Sequence, residues 1–374
     1  MTGNRLKIAI LGTRGIPNNY GGFEQFAEYL SVKLVEKGHS VTVYNPHHHE
    51  YDDSHYKSVK ITKIYDPEKW IGSASQIFYD YFCLKDSIKN RDDIVIELGY
   101  QSSALSMFLL NIKNLKIITN MDGMEWKRQK WNWIVKFLTR LFEKIAVKKS
   151  DEIVVDSIGV FNYFKTQYGI NPVFIPYGAV QVDEFDPGII KKYKLNKSNY
   201  FLLIARIEPE NNIEMIIEGV ISSDSSCELV VIGNHQSTYG NTLFNKYSSN
   251  NQIKFLGGIY NKHELDSIRH FSKIYFHGHS IGGTNPSLLE AMAAGSFISA
   301  HRNEFNNFVL GNDGNYFSSS NEISTIIDNE ESYPEKEKFV SNNLQKIKSD
   351  YNWDKITDEY EGLILKMVRV DKRI

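Results

Sequence analysis

Cysteine, net charge and long apolar runs are all scarce in this sequence. The two cysteines, Cys83 and Cys227, lie far apart, so neither a disulfide framework nor a cysteine metal site is predicted. A formal net charge of -2 argues against a nucleic-acid-binding protein. No apolar run approaches the roughly 18 residues of a membrane span, and the N-terminus has no cleavable-looking apolar segment. These absences predict a soluble, cytoplasmic protein.

The pattern of strands and helices predicts a parallel sheet in the first half of the chain. At 374 residues the chain exceeds what one hydrophobic core usually organises, so two domains are expected. An apolar run at 7–11, a helical pattern at 23–36 and a second apolar run at 40–44 form a βαβ opening. The alternation continues to 173–175. It favours a doubly wound α/β domain over 1–180.

The same alternation begins again in the second half. A polar stretch at 181–198 has no sustained apolar period and is predicted to be the interdomain linker. Strand and helix patterns then resume at 200–205 and continue to 273–276. A second Rossmann-like domain is therefore predicted over 199–351.

The most informative stretch is a small-residue loop at 277–295 that opens a helix. Pro286 suits the first helical turn, and backbone N–H groups at a helix start bind anions well. Glu290 lies one turn inside the helix, where its carboxylate would accept a hydrogen bond from a ribose hydroxyl. The pattern predicts a nucleotide-sugar site, and an ordinary βα turn with a solvated Glu is the alternative.

Five motifs in the chain carry a family resemblance. They are Gly-Thr-Arg-Gly-Ile-Pro (12–17), Tyr-Gly-Gly-Phe-Glu (20–24), Asn-Met-Asp-Gly-Met-Glu-Trp-Lys-Arg (120–128), Arg-Ile-Glu-Pro-Glu-Asn-Asn (206–212) and His-Gly-His-Ser (277–280). In this order they resemble the bacterial rhamnosyltransferase-like branch of glycosyltransferase family 4. The resemblance implies a GT-B fold: two Rossmann-like domains facing each other across a cleft, with a C-terminal helix at about 352–374 that packs back on the N-terminal domain.

The resemblance also implies a set of donor-binding residues. Arg206 would contact the leaving diphosphate as a catalytic residue. Gly21 and Gly22 would let the diphosphate approach the backbone, although a tight turn alone also explains these two glycines. The full implied set is Gly21, Gly22, Arg206, Asn211, His279, Ser280, Gly283, Thr284, Asn285 and Glu290.

Two positions depart from the family pattern. Many family members have a Lys five residues after the Arg, where this chain has Asn211. The usual Glu-x7-Glu motif would place its first Glu, which reads the donor sugar, at Gly282. One cation and one sugar-reading carboxylate are therefore missing, and contacts to the sugar hydroxyls would fall to neighbouring polar groups of the loop.

Asp122 is the candidate catalytic residue on the acceptor side, with Glu125 as a second acceptor-side carboxylate. Asp122 follows a predicted strand, where open parallel sheets display functional side chains, and a helix-capping role is the alternative.

His47, His48 and His49 do not predict a metal site, because adjacent residues in an extended loop point in alternating directions. No metal and no cofactor are expected beyond the nucleotide-sugar substrate.

The segment 126–149 is strongly basic and rich in Trp and Phe. This mixture suits a helix lying on a membrane surface, and a core helix with its aromatic stripe turned inward is the alternative. The first interpretation predicts peripheral contact at the inner face of the plasma membrane.

The resemblance implies a retaining transfer of rhamnose or another hexose from a nucleotide diphosphate to a saccharide or lipid-diphosphate-linked acceptor, in bacterial surface-polysaccharide synthesis. Three alternatives stay open: a catalytically inactive nucleotide-sugar-binding subunit, a GT-B epimerase and a GT-B phosphorylase. A nicotinamide-dependent dehydrogenase is disfavoured because the Gly12 to Gly15 spacing is not a dinucleotide fingerprint.

Overall fold

The computed structural model describes residues 5–19, 21–121, 123–124, 126, 132–330 and 335–371. The chain forms two compact units, one made of residues 1–177 with 353–374 and the other of residues 178–352. Each unit is built on a mainly parallel β-sheet with connecting helices, which confirms the predicted α/β class.

The first unit contains an eight-stranded sheet. Its strands are β1 (Lys7–Leu11), β2 (Ser40–Pro46), β3 (His55–Tyr56), β4 (Val59–Ile64), β5 (Ile94–Leu98), β6 (Lys116–Asn120), β7 (Glu152–Val155) and β8 (Val173–Phe174). Its helices are α1 (Gly22–Glu36), α2 (Glu68–Ile71), α3 (Ser75–Asn90), α4 (Ala104–Leu109), α5 (Trp133–Lys149) and α6 (Ile158–Tyr168).

The strand order in this sheet is β3-β4-β2-β1-β5-β6-β7-β8. All neighbours pair in parallel except β3 and β4. The central strands β1 and β5 are almost wholly buried, because helices cover both faces of a parallel sheet. The order reverses between β1 and β5, so the loop after β1 lies at the switch point of this sheet.

The second unit contains a six-stranded parallel sheet. Its strands are β9 (Tyr200–Ile204), β10 (Glu228–Ile232), β11 (Ile253–Gly257), β12 (Ile274–His277), β13 (Ile298–His301) and β14 (Asn315–Phe317). Its helices are α7 (Pro187–Lys192), α8 (Ile213–Ile221), α9 (Thr238–Tyr247), α10 (Lys262–His270), α11 (Pro286–Ala293), α12 (Glu304–Leu310), α13 (Ser320–Asp328) and α14 (Lys336–Ser349). The order β11-β10-β9-β12-β13-β14 is that of a Rossmann sheet, with its switch point between β9 and β12.

Residues 181–198, which the sequence predicts as the interdomain linker, fall within the second compact unit and include α7. Asp186 caps α7 by accepting a hydrogen bond from the backbone N–H of Gly188. Ile190 is buried, and the backbone N–H of Asp186 donates to the hydroxyl of Ser267 in α10. A short helix with one buried apolar residue carries too weak a periodic signal to be read from sequence.

The last helix, α15 (Trp353–Asp371), belongs to the first unit. The ring of Phe26 in α1 makes edge contacts with the rings of Trp353 and Tyr360. The buried Tyr360 hydroxyl accepts a hydrogen bond from the side-chain amide of Asn120, at the end of β6. These contacts fasten the C-terminal helix to the sheet that the N-terminal half of the chain builds.

Candidate functional site

The candidate site lies at the switch point of the second sheet. Arg206 follows β9, and His279 follows the neighbouring strand β12. Crevices at this position, at the carboxyl ends of the strands, are the usual ligand sites of open parallel sheets. The structure therefore brings together two of the residues that the sequence predicts to bind the donor.

The loops after β9 and β12 are locked to each other by backbone contacts. A Cβ atom on Gly278 would lie 2.0 Å from the carbonyl oxygen of Asn211, so only glycine permits this approach. The side-chain amide of Asn212 donates to the Gly278 carbonyl at 2.8 Å. Ser280 donates both its backbone N–H and its hydroxyl to the carbonyl of Glu210, at 3.0 and 2.8 Å. The Ser280 hydroxyl proton is thus engaged in holding the loop.

Asn211 also shapes the loop after β9. Its side chain is buried, and its amide nitrogen donates to the carbonyl oxygen of Arg206 at 2.7 Å. An amide can make this internal bond without adding a charge, whereas a Lys at this position would add a cation. Its role as a direct donor contact stays a prediction.

Arg206 is exposed, and no ion pair within the described ranges engages its guanidinium. Burial, and after it the positive charge of Arg206, lower the pKa of His279 to about 4. The rings of His279 and the buried His277 stack with centroids 4.4 Å apart, and burial holds the pKa of His277 well below its ordinary value. At neutral pH the site therefore presents one cation beside two uncharged imidazoles. The Nδ1 atom of His279 is buried and has no hydrogen-bond partner within the described structure.

The sequence predicts free backbone N–H groups at the start of α11, but in the structure one of them is already engaged. Asn285 caps the helix, and its side-chain oxygen accepts a hydrogen bond from the backbone N–H of Ser287 at 2.9 Å. Thr284 is buried, whereas Gly283 is partly exposed. The helix therefore contributes its dipole, and part of its N–H capacity is already used by Asn285.

Gly282 has a φ of +135°, a conformation that residues with a side chain rarely adopt. This backbone gives a physical reason why the sugar-reading Glu of the usual motif is missing at this position. A Cβ atom added to Gly282 would meet no other atom within 4 Å, so conformation rather than space disfavours a side chain.

Glu290 is held by an arginine that sequence reasoning missed. Arg269 in α10 is 1% exposed, and its Nη2 lies 2.5 Å from Oε2 of Glu290. Its Nη1 lies 3.2 Å from Oδ1 of Asp266. Glu290 remains partly exposed, so one end of the carboxylate is fixed by a buried cation. In sequence, Arg269 is one more charged residue in a polar helix, and nothing marks it as buried.

Gly21 and Gly22 lie where α1 begins in the first unit. Gly21 is the N-cap in an extended conformation and has no capping side chain. A Cβ on Gly21 would lie 3.3 Å from Oε2 of Glu24, and the other oxygen of Glu24 accepts a hydrogen bond from the backbone N–H of Arg14 at 2.7 Å. Burial raises the pKa of Glu24. A phosphate against these glycines would therefore have a carboxyl group as its neighbour, and the diphosphate contact stays a prediction.

Asp122 and Glu125, the predicted acceptor-side residues, lie outside the described residues. In the described part of the chain, His48, Asp66 and Glu68 form the one cluster with metal-ligand spacing. The carboxylate of Glu68 is shared between Arg14, at 3.0 Å, and His48, at 3.3 Å. The backbone N–H of Glu68 donates to Oδ1 of Asp66 at 3.1 Å, and the absence of a metal stays a prediction.

Two family models match the chain, one in each unit. Residues 186–342 match the model described as Glycosyl transferases group 1. Residues 5–180 match a model described as Domain of unknown function (DUF1972). No curated protein matches the chain significantly.

Solved structures match the fold of nearly the whole chain. Sucrose-phosphate synthase from Thermosynechococcus elongatus has a TM-score of 0.82 at 16% identity, over 98% of this chain and 100% of that one. Anabaena HepE in complex with UDP and glucose has a TM-score of 0.74 at 14% identity, over 96% and 99%. Trehalose-6-phosphate synthase from Burkholderia multivorans has a TM-score of 0.71 at 12% identity, over 98% and 99%.

These matches define the chain as a protein with the GT-B glycosyltransferase fold. More narrowly, residues 186–342, which lie in the second unit, match the Glycosyl transferases group 1 model. The similarity in fold covers both units, whereas the Arg206, His279 and Glu290 site lies in the group 1 domain.

The close approach at Gly278 gives a first testable prediction. Gly278→Ala is expected to push the β9 and β12 loops apart, because the new Cβ would overlap a carbonyl oxygen, and to cost about 1–3 kcal/mol of stability. Thermal unfolding would measure the loss of stability, and calorimetric titration with nucleoside diphosphates would measure the accompanying loss of affinity. Gly362→Ala is the matched control, since no atom lies within 4 Å of its added Cβ. Equal stability of the two variants would contradict the proposed loop contact.

Proposed function

We propose that this protein is a retaining glycosyltransferase of family 4 that transfers rhamnose or another hexose from a nucleotide diphosphate to a saccharide or lipid-linked acceptor in bacterial surface-polysaccharide synthesis. The observation that carries the proposal is the arrangement at the β9–β12 switch point. There an exposed Arg206 and a partly buried His279 stand in a group 1 glycosyltransferase domain.

The charges of this site suit a leaving diphosphate. Arg206 would contact it through the planar fork of its guanidinium, which matches phosphate oxygens. The dipole of α11 adds partial positive charge at the loop that precedes it. Because Asn211 brings no second cation, Arg206 would carry most of this electrostatic stabilisation. The absence of a metal from the proposed reaction rests on the family resemblance.

The nucleoside would be read by Glu290. Arg269 fixes one of its carboxylate oxygens, which orients the partly exposed carboxylate toward a ribose or deoxyribose hydroxyl. A buried arginine that holds a ligand-binding carboxylate reduces the ordering cost on binding. UDP in HepE supports a nucleoside diphosphate as the ligand class, and the base stays open.

In the proposed reaction the bond between the anomeric carbon and the diphosphate oxygen breaks, and a bond from that carbon to the acceptor oxygen forms on the same face. The acceptor proton passes to an oxygen of the departing phosphate, so a strong protein base is not required. The rhamnosyl donor and the retaining stereochemistry rest on the motif resemblance at 12–17, 20–24, 120–128, 206–212 and 277–280.

A catalytically inactive nucleotide-sugar-binding subunit is the second candidate. It is favoured by two observations: the Gly282 backbone disfavours the sugar-reading Glu, and Asn211 replaces a cation with an internal hydrogen bond. Such a subunit would bind nucleotide sugars without releasing the nucleoside diphosphate.

The test is nucleoside diphosphate release from a panel of dTDP-, UDP- and GDP-sugars, with and without a lipid-linked glycan extract and with and without EDTA. We expect acceptor-dependent release from one donor, a matching gain in glycan mass by mass spectrometry, and no effect of EDTA. Donor binding without release under every condition would favour the binding subunit. Turnover without a glycan acceptor would instead indicate an epimerase or a phosphorylase.

A further inference from the structure

Helix α5 is fastened to the first unit by one buried carboxylate. Glu143 is fully buried and accepts hydrogen bonds from three tyrosine hydroxyls. Tyr163 and Tyr168 donate to Oε1 at 2.6 Å, and Tyr100 donates to Oε2 at 3.2 Å. The inward face of the helix is therefore polar at its centre. This network fixes the rotation of α5 about its axis.

Several apolar side chains of α5 consequently point outward, whereas Phe142 and Ile145 are partly buried and Ala146 is buried. The core-helix interpretation, in which the whole aromatic stripe packs inward, therefore does not hold for Trp133 and Phe137. Trp133 is 78% exposed and Phe137 is 64% exposed. The exposed large apolar residues of this helix are Trp133, Ile134, Phe137, Leu138 and Leu141. Single exposed apolar residues are common on protein surfaces, but five on one helix mark an interaction surface.

The neighbouring helix α4 extends this surface. Phe108 and Leu109 are 60% and 61% exposed, and the ammonium group of Lys149 in α5 lies 5.9 Å from the centre of the Phe108 ring. We call these two residues together with the five exposed apolar residues of α5 the α4–α5 surface.

Every exposed charge on α5 is positive. Its cationic residues are Lys136, Arg140, Lys144, Lys148 and Lys149, and its only acidic residue is the buried Glu143. Arg140 and Lys144 also line a shallow pocket with Tyr163, Gln167 and Tyr168. The two cations of this pocket suit a phosphate headgroup, whereas the hydroxyls of Tyr163 and Tyr168 already donate to Glu143. Apolar side chains flanked only by cations are complementary to an anionic lipid bilayer.

We propose that the α4–α5 surface docks on an anionic membrane, with α5 lying in the plane of the interface. The 17 residues of α5 span about 26 Å. In this orientation its Trp and Phe side chains would lie at the boundary with the acyl chains, and its lysines would lie among the lipid headgroups. Within the described ranges no helix is long and apolar enough to cross a membrane. The docking does not depend on the proposed transferase reaction, because it involves only the first unit.

The test is co-sedimentation of the purified full chain with vesicles of phosphatidylcholine, either alone or with about 30% phosphatidylglycerol, which gives a strongly negative surface potential. We expect binding to the anionic vesicles only. Trp133→Ser/Phe137→Ser and Lys144→Gln/Lys148→Gln are each expected to weaken it about tenfold or more. Tyr260→Ser, at a 74% exposed aromatic of the second unit, and Lys191→Gln/Lys348→Gln, at exposed lysines of that unit, are the matched controls and are expected to bind like the wild type.

Three results would overturn the proposal. The first is wild-type protein that stays in the supernatant with anionic vesicles, and the second is binding that all four variants share equally. The third is self-association in sedimentation velocity that Trp133→Ser/Phe137→Ser abolishes, since a second copy would then be the occupant of the surface. Because the vesicles contain no glycan acceptor and binding is the only readout, failure of this proposal is separate from failure of the transferase reaction.

Discussion

Arg206→Ala is expected to lower turnover of the nucleotide-sugar donor by at least tenfold and to leave the fold intact. Its guanidinium is exposed, so its removal should change the free energy of unfolding by no more than about 0.5 kcal/mol. The loss arises because no Lys stands at Asn211 to share the charge of the diphosphate. Arg206→Lys keeps the charge but loses the planar fork, so an intermediate rate is expected. Steady-state release of nucleoside diphosphate measures the effect.

The proximity of the Arg206 charge to His279 can be tested separately from turnover. The positive charge of Arg206 is one of the causes that lower the pKa of His279. A cation disfavours protonation of a neighbouring imidazole, so Arg206→Ala should raise the pKa of His279, followed by NMR titration. Arg302→Ala is the matched control, because Arg302 is an exposed arginine just after β13. Near-normal turnover of Arg206→Ala would remove this residue from the site.

The fold could be predicted from the sequence because its signals are local. The apolar run of β1 and the helical pattern that becomes α1 are bounded by glycines and repeat through the chain. The same signals were too weak for β3, which has two residues and is partly exposed, and for α7. Short elements depend on contacts made by distant residues, and these leave no period in the sequence.

The site could be predicted only in part, for the same reason. The sequence motifs placed Arg206 and His279 each after a predicted strand. That β9 and β12 are neighbours, so that the two residues meet at one edge of the sheet, is shown by the structure. The motifs did not predict that Ser280, Asn211 and Asn285 use their side chains to hold loops and caps. Nor could a helical pattern decide which way α5 faces, since its aromatic stripe suits a core as well as a membrane. Glu143 is buried and accepts hydrogen bonds from three tyrosines, but in sequence it is a charged residue with nothing to mark it as buried.

Arg269→Met is expected to reduce both the stability of the second unit and the affinity for the donor. The substitution removes the cation that Glu290 and Asp266 share. Removing one partner of a buried ion pair costs about 3–5 kcal/mol of stability, because the remaining charge stays buried without its partner. The lower part of that range is expected here, since Lys262 still pairs with Asp266 at 2.5 Å and Glu290 is partly exposed. Chemical denaturation and the KM for the donor measure the two effects.

A double-mutant cycle distinguishes the role of Arg269 in positioning Glu290 from its role in stability. Glu290→Ala is expected to lower turnover at least tenfold, and it also takes one carboxylate partner from the buried Arg269. In Arg269→Met/Glu290→Ala both charges are gone, so stability should recover part of the loss seen in Arg269→Met. Turnover should not recover, because the carboxylate that reads the nucleoside is absent. If stability and turnover recovered together, Glu290 would be a partner of Arg269 only, and nucleoside recognition would have to be assigned to another residue of the loop.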